Sequence, residues 1–112
     1  MEIKKKGDNM NIFRGDTFLK DWKVKTNNGE DYIFQKGDII RYCLYKDVDK
    51  PIQKKEIIIE EEQQSVEIFY SHEETSKLLI GNYVLEIELT YDTNKVQTFK
   101  YTNIYVGEDA IC

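Results

Sequence analysis

The stretch SHEETSKLLIGNYVLEIELTY, Ser71–Tyr91, decides the fold class. It opens with a polar turn, passes a glycine at Gly81, and continues as a long amphipathic run. From Tyr83 the apolar residues fall on every second position: Tyr83, Leu85, Ile87, Leu89 and Tyr91. Val84, Glu86, Glu88 and Thr90 alternate with them. Side chains point to opposite faces along a strand, so this run is a strand with one buried and one wet face. Just before it, Ser71 is placed to cap a helical turn over Ser71–Leu79, with Glu73 and Glu74 complementing its positive end and Gly81 ending it.

Working outward, the same alternation recurs. Ile40, Tyr42 and Leu44 share a face within Ile39–Tyr45, with Arg41, Cys43 and Tyr45 opposite. Val66, Ile68 and Tyr70 alternate with Glu67 and Phe69 in Ser65–Tyr70. A first strand is expected near Met10–Arg14. Gly15-Asp16 breaks it, and a second begins at Thr17, with Phe18, Trp22 and Val24 on one face and Lys20 as the exception. Asn27-Asn28-Gly29 and Lys36-Gly37-Asp38 read as turns, because Asn and Gly accept positive φ. Tyr32-Ile33-Phe34 between them is a short strand or a covering segment. Asp47–Lys50 with Pro51 is a loop. Lys55–Glu62 contains three consecutive isoleucines, whose branched β-carbons favour strand, with helix the competing reading. Gln63-Gln64 is then the tip between two paired strands. Asp92-Thr93-Asn94 turns the chain after Tyr91, Val96–Tyr101 pairs back, and Ile104–Val106 forms a last strand.

Regular short strands separated by turns indicate a sandwich or barrel. The 112 residues suit one domain. The expectation is a loose segment over residues 1–9 and a single all-β domain over 10–112. Eight tyrosines and five phenylalanines against one proline agree with strand.

Composition limits function. A net charge of −5 argues against general affinity for nucleic acid, which needs clustered cations to neutralise phosphates. Lys4-Lys5-Lys6 is short and reads as solvated. No apolar run approaches a bilayer span, and residues 1–12 lack the apolar core of a signal peptide, so neither a membrane nor a secretory role is expected. Cys43 and Cys112 do not form a disulfide framework; two free thiols fit a reducing cytoplasm or a particle assembled there.

Few residues suggest chemistry. His72, the single histidine, cannot build a multi-histidine metal site and stands in no recognised catalytic spacing. Glu60-Glu61-Glu62 offers carboxylates, but a consecutive run on a strand points to alternate faces, which fits a solvated edge that discourages edge pairing. Arg14-Gly15-Asp16 matches the tripeptide read by integrins and reads first as a bend that uses the freedom of Gly15. Trp22 shares a face with Phe18 and Val24 and reads as core. Tyr42, Tyr83 and Tyr91 read as buried, and Tyr45 and Tyr105 as exposed and available for an interface. No metal, cofactor or catalytic residue is expected.

The order of these elements carries a resemblance. RGDTFLKDWKV looks like a "GDT-x-apolar" opening strand. Phe34–Tyr42 resembles an "apolar-x-x-G-D-x-apolar-x-apolar" element. EETSKLLIGNYVLEIEL resembles "D/E-T-x-x-L-x-x-G-x-Y-x-apolar-D/E-apolar", and VQTFKYTNIYVGEDA resembles a closing hairpin, with Tyr101-Thr102-Asn103 where a glycine belongs. In this pattern, over roughly residues 10–110, the chain is similar to the immunoglobulin-like N-terminal domain of phage baseplate upper proteins and to small prophage tail domains. The resemblance implies an immunoglobulin-like antiparallel β-sandwich of about seven to nine strands. Within it Gly81 and Tyr83 form a structural signature, and Leu78 and Leu79 plug one end of the sandwich. It also implies a non-enzymatic assembly role in a tail or baseplate, with other tail proteins or further copies of the chain as partners through edge strands carrying Tyr45 and Tyr105. A carbohydrate-binding module using exposed aromatic rings is the alternative, and an enzyme ranks last.

Overall fold

A computed structural model of the chain describes residues 10–46 and 52–108. The fold is all-β, with one short helix. Its elements in order are β1 (Met10–Phe13), β2 (Phe18–Trp22), β3 (Ile39–Tyr45), β4 (Ile52–Ile58), β5 (Val66–Tyr70), α1 (His72–Ser76), β6 (Gly81–Tyr91) and β7 (Lys95–Gly107). The strands form two sheets, a five-stranded one in the order β1-β7-β6-β3-β4 and a two-stranded one of β2 and β5. Residues 1–9, 47–51 and 109–112 lie outside the described residues, and with them the expected loose N-terminal segment, the Asp47–Pro51 loop and Cys112.

One core is shared by both sheets. From the larger sheet come Ile12, Ile40, Tyr42, Leu44, Tyr83, Leu85, Ile87, Leu89, Phe99 and Ile104; from the smaller come Trp22, Val66, Ile68 and Tyr70. The alternating patterns in β3, β5 and β6 are the inward-facing halves of these strands. Phe34 is fully buried without belonging to a named strand; Tyr32–Phe34 is a covering segment, tied by backbone bonds between Phe34 and Gln63. Trp22 donates to the hydroxyl of Tyr101 at 2.7 Å and meets Phe99 edge-on at 5.1 Å, as a core residue does.

Four features depart from the sequence reading. First, β1 pairs with β7 in parallel, so the larger sheet is not wholly antiparallel. Second, Gln63-Gln64 is not a hairpin tip. The chain crosses between sheets there, since β4 pairs with β3 and β5 pairs with β2. Glu60, Glu61 and Glu62 accordingly lie past the end of β4 rather than on it, and all three are exposed.

Third, β7 is one continuous strand of 13 residues and has no turn at Tyr101-Thr102-Asn103. The register instead shifts: Tyr83 faces Ile104 and Leu85 faces Tyr101. Thr102 and Asn103 thus stand together opposite Val84, which is a β-bulge. A bulge needs no glycine, and it switches parity. Phe99 and Tyr101 face inward before it, Ile104 and Val106 after it.

Fourth, the strands expected to be edges are not. β3 lies between β4 and β6, and β7 lies between β1 and β6. The edges are β1 and β4 in the larger sheet and both strands of the smaller.

Candidate functional site

The structure builds two local constructions from the residues singled out in the sequence, a locked corner around Gly81 and Tyr83 and an open sheet face around Tyr105.

The corner begins with α1. Ser71 caps it, its hydroxyl oxygen accepting from the N–H of Glu74 at 3.2 Å while the Glu74 carboxylate accepts from the N–H of Ser71 at 2.8 Å. This reciprocal pair is a capping box. Lys55 on β4 adds an ion pair to the same carboxylate at 2.6 Å. Partial burial pushes the Glu74 carboxyl upward. The bonds from Lys55 and Ser71 outweigh that push and hold it below the usual carboxylate range. The helix closes at Lys77, short of the glycine.

Beyond it the hydroxyl of Tyr83 accepts from the N–H of Leu79 at 3.0 Å and donates to the Leu79 carbonyl at 2.8 Å. The ring stands in the core while its hydroxyl holds the backbone four residues upstream, the geometry of a tyrosine corner. Leu78 is buried, but Leu79 is 69% exposed, so only Leu78 plugs the end. With both backbone groups of Leu79 committed to the hydroxyl, its side chain is turned outward. Gly81 has a φ of 144°, and Lys46 crosses directly over it to donate to the Ile80 carbonyl at 2.9 Å. A Cβ at Gly81 would lie 2.6 Å from the Lys46 ammonium nitrogen. The backbone conformation calls for glycine, while the lysine, a flexible side-chain end, can move aside.

The Arg14-Gly15-Asp16 bend is stitched to this helix. Arg14 bonds Glu108 and the Ser76 carbonyl. Gly15 donates to the Thr75 hydroxyl oxygen at 3.0 Å, and that hydroxyl donates to the Asp16 carbonyl at 2.7 Å. The tripeptide works as a bend that joins β1 and β2 to α1.

The outer face of the five-stranded sheet divides in two. Its middle is charged: Arg41 stands beside Glu56 and Glu88 at 3.8 and 3.4 Å, and Cys43 lies opposite Glu86. These residues line an open depression of about 460 Å³ with Lys54. Burial, reinforced by Glu86, pushes the Cys43 thiol up, away from the thiolate a nucleophile needs. Exposed ion pairs of this kind contribute little to stability.

At the other end of the face the described residues around Tyr105 are uncharged. Tyr105 on β7 has Asn11 of β1 directly on one side and Asn82 of β6 directly on the other. Thr102 and Asn103 of the bulge lie before it and Phe13, opposite Gly107, lies after it. Tyr105 is 46% exposed, as its sequence pattern indicates. Tyr45 is not. It is 6% exposed, on the outward side of an interior strand opposite Val84. The two tyrosines do not form a joint exposed surface.

His72 is exposed at the start of α1. Among the described residues no group of three or more His, Cys, Asp or Glu side chains is arranged to hold a metal ion, and no helix is long and apolar enough to cross a membrane. Comparison of the chain with family models, curated proteins and solved structures gave no match.

Proposed function

We propose that this chain is a non-enzymatic assembly domain of a phage or prophage tail or baseplate, acting through protein–protein contacts and resident in the virion once assembled. The observation that carries the reading is the corner made by Tyr83 and Leu79 at the start of β6. In immunoglobulin-like domains that device sits at the start of strand F. The strand order supports the same assignment: β7-β6-β3-β4 follows G-F-C-C′, with β2 and β5 as B and E. Leu85 stands two residues after the corner tyrosine, where antibody domains place a cysteine, so this core closes without that bridge. The order of sequence motifs that resembles baseplate upper proteins adds the tail context, since the fold alone hosts many functions.

Contacts in such an assembly would use apolar groups left outside the core. Leu19 and Phe69 stand opposite each other on β2 and β5 and are both exposed. Leu79 and Ile80 project from the rigid corner. Light scattering across a concentration range tests the reading. A discrete trimer or hexamer is the expected result. A monomer at every concentration, from a coding neighbourhood without tail genes, would overturn it.

A further inference from the structure

We infer that the uncharged end of the outer sheet face, centred on Tyr105, is a binding site for a neutral saccharide. The case rests on four observations and is independent of the assembly role.

The first is ring presentation. Gly107 lies two residues after Tyr105 on the same face of β7, and the Tyr105 ring leans over it. A Cβ on Gly107 would lie 3.0 Å from the nearest ring carbon. With no side chain at Gly107, the strand leaves room beside it for the Tyr105 ring. The residue is 46% exposed, so it offers aromatic surface of the kind that stacks on the C–H face of a pyranose.

The second is what flanks the ring. Asn11 and Asn82 are its direct cross-strand neighbours, and both are exposed. Adjacent strands lie ~4.8 Å apart, so the two amides bracket the platform about 10 Å from each other. Each amide carries two donors and an acceptor with two lone pairs. Sugar hydroxyls both donate and accept, so amides suit them where a single-sign charge would not.

The third is that, among the described residues, the positions directly around the ring are uncharged. Along the same outward rows Thr102, Asn103, Val84, Phe13 and Gly107 are neutral. In contrast, the rows around Arg41 and Cys43 carry charge on nearly every strand. One third of the chain is charged, so a neutral patch is a local property rather than a compositional one. The charges at its margins are already engaged, Lys46 with the Ile80 carbonyl and Arg14 with Glu108, so a neutral polyol with apolar faces fits the centre.

The fourth is rigidity. Tyr105 and Asn82 stand on interior strands, and Asn11 is fixed by the parallel pairing of β1 with β7. A site on strands keeps its geometry better than one on loops.

The test is amide chemical-shift mapping with saturation-transfer NMR on the full chain. The probes are glucose, galactose and N-acetylglucosamine, with the β-linked trisaccharide of each. Saturation of ring protons in at least one sugar, with shifts at Asn11, Asn82, Tyr105 and Gly107, is expected. Tyr105→Ala removes the platform and should abolish transfer while the shifts of core amides stay in place. Gly107→Ala keeps the aromatic but lifts it, and should weaken binding several-fold. The idea is overturned if all six sugars leave these amides unmoved, if shifts map to another surface, or if Tyr105→Ala binds as well as the parent. Movement of the same amides on dilution without sugar, with no saturation transfer, would also overturn it and assign the face to contact between copies.

Discussion

The hydroxyl of Tyr42 on β3 donates to the carbonyl of Phe69 on β5 at 3.2 Å and accepts from the same residue's N–H at 3.3 Å. One side-chain oxygen thus satisfies both backbone groups on the free side of the two-stranded sheet and ties that sheet to the larger one. Tyr42→Phe keeps the ring in the core and leaves the Phe69 groups without this partner. Since unsatisfied buried groups cost roughly 1–3 kcal/mol, about that loss is expected, read from urea unfolding. An unchanged midpoint would mean that water replaces the hydroxyl without cost.

Tyr83→Phe isolates the other tyrosine tie. The Leu79 groups it releases lie beside an exposed side chain and recover water, so the expected loss is smaller, about 1 kcal/mol. Hydrogen exchange should accelerate at Leu79. Tyr83→Ala also removes the buried ring and should cost ~3–5 kcal/mol. Equal losses for the two variants would show that the hydroxyl, not the ring, holds the corner.

Glu74 makes the fold sensitive to acid. Its carboxyl titrates below its unfolded value despite partial burial, because the bonds from Lys55 and Ser71 favour the ionised form. A depressed carboxylate contributes stability that is present above the unfolded pKa and is lost as pH falls through the folded pKa. Glu74→Gln retains an acceptor for the Ser71 N–H and removes the charge. The parent should unfold at a higher temperature than the variant near neutral pH, and the gap should close as pH falls through the folded pKa. A gap independent of pH would remove the ion pair from the account.

The bulge in β7 holds one residue more than the facing of the core requires. Thr102 and Asn103 share the place opposite Val84, so deleting Asn103 leaves Thr102 paired with Val84, Ile104 and Val106 inward and Tyr105 outward. The deletion variant should therefore keep a cooperative unfolding transition, read by circular dichroism during a thermal ramp. Loss of that transition would show that the bulge itself, and not only the facing on either side of it, is needed for the fold.

These residues also mark where the sequence was legible. Periodicity identified the inward faces of β3, β5 and β6, and Ser71 with Glu74 announced the helix cap. What periodicity cannot carry is the identity of a strand's neighbour. It registers that Tyr45 points away from the core, but not that β3 is interior and that the residue is buried there. It registers Val66 and Ile68 as core, but not that β4 and β5 enter different sheets at Gln63-Gln64. The interruption of alternation at Thr102-Asn103 is visible in the sequence and divides β7 into two expected strands, because a bulge and a break leave the same local trace. Asn11, Asn82 and Tyr105 come together only through pairings distant in sequence, so their shared patch had no local signal.

The parallel pairing of β1 with β7 has a consequence for biosynthesis. A ribosome releases β1 first among the described strands, yet its partner in the sheet is made last. Until Lys95–Gly107 has emerged, β1 has no edge to join and β6 lacks one of its two neighbours. Long-range pairing of this kind delays closure of the sheet. The nascent chain must therefore be shielded from stray strand pairing until β7 has been made, and a transcript cut short before β7 yields material for proteolysis rather than a smaller version of the domain.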